Sequence, residues 1–193
     1  FEEHFDREFT ELQLNGTGER GIFNRSDLHL QIPERRNPNH LFGLNPCGEI
    51  ILRPRQFCNL SITVTREHDT EESLQKKLKY ATLFGCIQST LTNFNYISPQ
   101  WRKNCEEERL LGVDITGQFD NIALFTPESL KSYRETVVEN AAHYAQVLNI
   151  NHPTATTCVK PSGNSSQLLD CSSGMHPRYA PYYIRRIRIG AST

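Results

Sequence analysis

The chain of 193 residues has no apolar run approaching the ~18 residues that a membrane-spanning helix needs. It has no excess of one charge: 21 basic and 22 acidic residues leave a formal net charge of −1. That balance gives no electrostatic footprint for a nucleic-acid backbone, so neither nucleic acid nor a membrane is an expected partner. There is no internal repeat and no low-complexity tract. The opening FEEHFDREFTELQLNG is acidic and lacks the basic start and apolar stretch of a secretory leader. Without an export signal the expected setting is cytoplasmic, and the six cysteines read as reduced thiols. Methionine is almost absent, with Met175 alone and none at position 1. The chain therefore reads as a piece of something longer.

What is present is an alternation of elements. Residues 15–46 are rich in Gly, Asn and Pro and read mainly as irregular chain. Ile50–Leu52 and Phe57–Thr65 read as extended, the second because CNLSITVT alternates and carries β-branched residues. Thr70-Glu71-Glu72 resembles a helix start, and Leu74, Leu78, Ala81, Ile87 and Leu91 carry a helix to about 93. RLLGVDITG, 109–117, is a buried strand bounded by glycine. Thr126-Pro127-Glu128 starts a second helix that runs to about 149. ATTCVKPSGNSS reads as a strand, a loop and a helix start, and YYIRRIRI as a closing alternating segment. This order predicts an α/β fold with a largely parallel sheet.

Two short stretches carry candidate chemistry. In KPSGNSS, 160–166, a strand enters a Pro-Ser-Gly turn where a helix begins. Free backbone N–H groups at such a turn favour an anion, and glycine allows its close approach. An ordinary helix-capping turn fits the same residues. The pattern is not a P-loop, which needs Gly-x-x-x-x-Gly-Lys. In NPCGE, Cys47 stands between Pro46 and Gly48, which places it at a tight loop tip. A thiol there can reach a substrate, with Glu49 as a general base and Asn45 orienting a hydroxyl. A structural cysteine near a turn is the plain alternative. Cys58 follows eleven residues on. Cys–His hydrolysis has little support, because His40 has no geometric claim on Cys47. No Cys or His pair has zinc-ligand spacing, so no metal is expected. Cys86 and Cys158 read as small apolar residues. His176 of HPRY reads as structural, and CEEER, 105–109, as a solvated face.

NPCGEI, with the cysteine of FCNL eleven residues after Cys47, closely resembles the active-site segment of ribonucleotide reductases. The resemblance continues in order through QSTLTNF, EEERLLGVDITG, VKPSGNSS and SSGMHPRYAPYYIRRIR, over residues ~18–188. It is strongest to the adenosylcobalamin-dependent class. Reductases with a separate radical subunit share the Asn-x-Cys-x-Glu core, but Pro46 and the eleven-residue gap favour cobalamin. The resemblance implies a ten-stranded α/β barrel with a central finger loop. Residues 1–193 would be a central fragment of it, with the finger loop at about 40–50 and the phosphate loop at about 160–166.

By this resemblance Cys47 is the thiyl-radical cysteine that takes the 3′ hydrogen of the ribose. Glu49 accepts the 3′-hydroxyl proton, Asn45 hydrogen-bonds the ribose hydroxyls, and Cys58 is one of two reducing thiols. The other lies upstream of residue 1 in the family. Ser162, Gly163, Asn164 and Ser165 hold the substrate phosphates. The implied activity is radical reduction of ribonucleoside di- or triphosphates to deoxyribonucleotides. The implied cofactor is adenosylcobalamin, not bound by this segment alone, with a dithiol reductant such as thioredoxin and the remaining reductase segments as partners. A non-catalytic nucleotide-binding or assembly segment of a split reductase is the alternative expectation.

Overall fold

Thr70 and Thr126 start the two long helices by the same local chemistry. The computed structural model of the chain describes residues 2–16, 21–160, 162–184, 186 and 190. Helix α2 is Glu71–Ser89 and helix α4 is Pro127–Val147. In each, the Thr side chain accepts the backbone N–H three residues on (3.2 Å), and that residue's Ser hydroxyl accepts the Thr N–H (2.9 Å). Two otherwise orphaned donors are satisfied at each start. Both helices end slightly earlier than the periodicity predicts. At the end of α2, the hydroxyls of Ser89 and Thr90 donate to the carbonyls of Cys86 and Ile87, both at 2.7 Å, and offer the backbone an exit. At the end of α4, Asn149 takes a left-handed φ of 52°. The Ile150 N–H then closes on the Ala145 carbonyl at 3.0 Å, a Schellman stop.

The chain divides into two compact units, residues 1–32 and 33–193. The first holds helix α1, Glu2–Asn15, and a 3₁₀ turn at Leu28–Leu30. Helix α1 buries no side chain, which is why apolar periodicity did not announce it.

In the second unit, β1 (Gly43–Leu44) and β2 (Ile51–Leu52) form an antiparallel hairpin. Strand β3, Asn59–Val64, pairs in parallel with β4, Leu111–Thr116, in register from Asn59↔Leu111 to Val64↔Thr116. Parallel pairing needs a crossover, and α2 provides it, followed by helix α3, Pro99–Glu108. Residues 155–158 run along the other edge of β4, with a parallel bridge at Val113↔Thr157. This ladder is shorter than expected because the Lys160 N–H goes to the Asp114 carboxylate (3.1 Å) instead of a strand carbonyl. The helix start in KPSGNSS is one turn, α5, Ser165–Leu168. Tyr182–Ile184 form no strand, and the rest of YYIRRIRI lies largely outside the described residues. Among the described residues no helix is long and apolar enough to cross a membrane.

Period-two alternation gives the parallel strands two different faces. Val113 packs with Leu74, Leu78 and Ala81 of α2 and Tyr133 and Val137 of α4, with Ile115 at the edge of the cluster. Leu111 packs with Cys86, Ala141 and Tyr144. Gly112, Asp114 and Thr116 point to the opposite face. A Cβ on Gly112 would lie 2.5 Å from Leu60 Cδ2, 3.1 Å from Cys158 Sγ and 3.2 Å from Ile50 Cδ1. The missing side chain is therefore what lets the hairpin residue Ile50 settle against the sheet. Gly112→Ala is expected to lose about 1–3 kcal/mol in denaturant unfolding through overpacking. A loss below about 0.5 kcal/mol would show that this face is loosely packed.

CEEER departs from its expected solvated face. Ser98 and Pro99 open α3, and Cys105, Glu108 and Arg109 are buried. Only Glu106 and Glu107 face outward, because a helix turns every 3.6 residues and cannot keep a run of acids on one side.

Candidate active site

The hairpin loop is closed around one residue, Asn45, through both its backbone and its side chain. The Asn45 N–H donates to the Ile50 carbonyl (3.2 Å), and its Oδ1 accepts the Ile50 N–H (3.0 Å). The Asn45 carbonyl accepts the Gly48 N–H (3.0 Å), and Gly48 has φ +78°, a turn that favours glycine. This places Cys47 at the tip with its thiol exposed and free. Asn45 spends its oxygen inside the loop, so its amide Nδ2 is the group left to meet a ligand. Glu49 points the other way. Its side chain is 2% exposed, with Oε1 3.9 Å from Lys160 Nζ and Oε2 buried without a hydrogen-bond partner among the described residues.

Cys58 sits under this loop, just before β3. Burial, with the nearby Glu49 charge, pushes its thiol up to about 12, against the opposing pull of Arg36 and Lys160. Cys58 is thus a neutral thiol at physiological pH and carries its own proton. Burial also pushes the Cys158 thiol up, and Asp114, Cys58 and Glu49 add to the shift.

The serine loop begins two residues after Lys160. Ser162 is buried, with its hydroxyl 2.7 Å from that of Ser173. Gly163 has φ +56°. The Ser165 N–H donates to the Ser162 carbonyl (3.0 Å), as does the Ser165 hydroxyl. Ser165 therefore shapes the turn and has no donor left for an anion. Asn164 caps α5 without a side-chain cap bond. Beside the loop is a cavity of about 480 Å³ lined by Gly163, Ser166, Ser172, Ser173, Arg178 and Tyr179, within the range of small-molecule sites. Arg178 is held at its rim by Asp120 and Asp170, both at 3.1 Å. The Glu49–Lys160 pair ties the hairpin to the segment that leads into this loop.

Sequence reasoning missed the residues that fix the hairpin. Arg36, 3% exposed, donates to both carboxylate oxygens of Glu108 (2.9 Å each) and to the Ile51 carbonyl of β2 (2.8 Å). Its guanidinium lies 4.6 Å from the ring centre of Phe42, which leads into β1. One cation thus holds both sides of the hairpin to the end of α3. Burial pushes the Glu108 carboxyl up, but hydrogen bonds from Arg36 and Gln56 outweigh it and hold the group below its ordinary value. Asp114 and Lys160 were also missed. A lone Asp inside the apolar run LLGVDIT was the available signal, because a buried carboxylate in a strand needs a reason.

No protein-family model matches the chain. The fold is similar to a crystal structure of a B-12-dependent (class II) ribonucleotide reductase. The TM-score is 0.55 over 71% of this chain and 23% of that one, at 21% identity. The sequence is 32% identical to a probable adenosylcobalamin-dependent ribonucleoside-triphosphate reductase of Dictyostelium discoideum, over 76% of this chain. It is 28% identical to the adenosylcobalamin-dependent ribonucleoside-triphosphate reductase of Lacticaseibacillus paracasei, over 92% of this chain. The chain spans 20% of the first relative's length and 28% of the second's. It belongs to the ribonucleotide reductases, as a segment most like the adenosylcobalamin-dependent class.

Proposed function

We propose that this chain is the catalytic segment of an adenosylcobalamin-dependent reductase that converts ribonucleoside triphosphates to deoxyribonucleotides in the cytoplasm. The triphosphate is the substrate class in the names of its relatives. The reading rests above all on one arrangement: an exposed thiol at a hairpin tip, with a buried carboxylate two residues on and a half-buried neutral thiol near that carboxylate. Completed by the rest of the reductase, the βα units of residues 51–158 would be part of a ten-stranded barrel with this hairpin as its finger.

Bound adenosylcobalamin supplies a radical. The fit on this chain is confined to the tip, where Cys47 is exposed and, among the described residues, nothing lies within 4 Å of the position a Gly48 side chain would take. Sulfur gives up and regains a hydrogen atom easily, so Cys47 would take a hydrogen atom from the ribose 3′ carbon and later return one. Glu49 accepts the 3′-hydroxyl proton, and the 2′-hydroxyl leaves as water. Asn45 Nδ2 donates to a ribose hydroxyl. Cys58 and a second thiol from the rest of the reductase give two electrons and two protons and end as a disulfide. A thioredoxin-like dithiol then reduces that bond. Ser162, Gly163 and Asn164 grip the phosphates, and Ser165 holds their turn in shape.

Cys58→Ser in the whole reductase tests the reading. A serine forms no disulfide, so steady-state reduction with a dithiol is expected to fall by at least about a hundredfold while nucleotide binding persists. Normal multiple turnover in this variant would remove Cys58 from the reaction.

A further inference from the structure

We propose that Asp114 is a positioning residue for Glu49: the two carboxylates form one buried unit around Lys160, and Asp114 holds in place the lysine that faces Glu49. The inference rests on the reading of Glu49 as the base and adds a partner that the motif around Cys47 does not contain.

Strand alternation puts Asp114 on the hairpin side of β4, where it is 2% exposed. Its Oδ1 accepts the Lys160 N–H (3.1 Å), and Lys160 Nζ lies 3.9 Å from Glu49 Oε1. Asp114 therefore holds the backbone of the residue whose ammonium faces Glu49. The remaining oxygens, Asp114 Oδ2 and Glu49 Oε2, are both buried with no hydrogen-bond partner among the described residues. A buried, unpartnered carboxylate oxygen is costly, and two beside a single lysine leave one negative charge uncompensated.

The groups facing Asp114 are Glu49 from the hairpin and Cys158 and Lys160 from the segment along β4, and Cys58 at the start of β3 faces Glu49 and Cys158. Both thiols are neutral at physiological pH, so the charge balance lies with the two carboxyls and the lysine. Burial pushes Asp114 up to about 6, and Glu49 adds to this against the pull of Lys160. A carboxyl raised in the fold favours the protonated form, so its contribution to stability is complete below pH ~4 and is lost as pH rises through about 6.

The test is a titration of the full chain by NMR with ¹³C-labelled Asp and Glu carboxyls. A like charge raises the proton affinity of its neighbour, so Asp114 in Glu49→Gln is expected to bind its proton about tenfold more weakly. Asp114→Asn keeps the acceptor for the Lys160 N–H and removes the charge, so in the whole reductase it is expected to keep more activity than Asp114→Ala, which frees that N–H; equal activity of the two would remove the positioning role. A merely structural Asp114 would keep its midpoint in Glu49→Gln, and that unchanged midpoint would overturn the inference. The NMR readout needs no turnover. A coupled titration in a chain whose Cys47→Ser variant still reduced nucleotides would sink the radical reading and leave the carboxylate pair standing.

Discussion

Cys47→Ser is expected to abolish nucleotide reduction in the whole reductase while changing nucleotide affinity by less than about twofold. The substitution swaps one atom at an exposed tip where the thiol makes no structural bond. Surface changes of this kind usually move stability by no more than about 0.5 kcal/mol. The hairpin turn depends on Asn45 and Gly48, and both remain. A hydroxyl, however, does not release a hydrogen atom at the energy a thiol does, so the carrier step has no substitute. Nucleotide affinity is assigned to the serine loop, which the substitution does not touch. Reduction assays with and without adenosylcobalamin, run beside equilibrium binding, measure both halves. Reduction at the wild-type rate would remove the radical role of Cys47.

Glu108→Ala is expected to destabilise the chain by about 3–5 kcal/mol. It leaves the Arg36 guanidinium buried without its counter-charge, and breaking one side of a buried pair costs that much. The loss is larger than the pair's net worth, because desolvation of Arg36 is no longer offset. Replacing both partners at once, Arg36→Met with Glu108→Leu, is therefore expected to recover most of the loss. Denaturant melts of the single and double variants measure this, read as midpoint shifts at constant slope. The pair also depends on pH. Because the Glu108 carboxyl is held low, its stabilisation is present at neutral pH and disappears as pH falls through that lowered value. A single-variant loss under about 1 kcal/mol would mean that water reaches the pair and that it does not clamp the hairpin.

The long helices were legible because their starts are local chemistry. Thr70 and Thr126 cap whatever follows them, and apolar spacing then marks the buried stripe. Helix α3 opens on Ser98-Pro99 without a side-chain cap bond, and its ten residues include three consecutive acids that read as surface. Only the tertiary pairing of Glu108 with Arg36, seventy-two positions earlier, reveals that one of them is core. Helix α1 buries nothing, so periodicity had no stripe to mark. At the candidate site, Asn45, Cys47 and Glu49 could be singled out because they share five residues of one hairpin. Their different surroundings could not: an exposed thiol and a carboxylate buried against Lys160 are set by where the sheet lies. Asp114, Cys158 and Lys160 reach the site only through the register of the strands, which the sequence encodes too weakly to read unaided.

The central claim is that the hairpin thiol and the serine loop serve one nucleotide. The direct measurement is the alkylation rate of Cys47 in the whole reductase, followed by peptide mass spectrometry with and without a ribonucleoside triphosphate. Nucleotide is expected to slow alkylation at Cys47 several-fold, and a Gly163→Val loop variant to lose that protection at the same nucleotide concentration. An alkylation rate at Cys47 that saturating nucleotide leaves unchanged would contradict the claim.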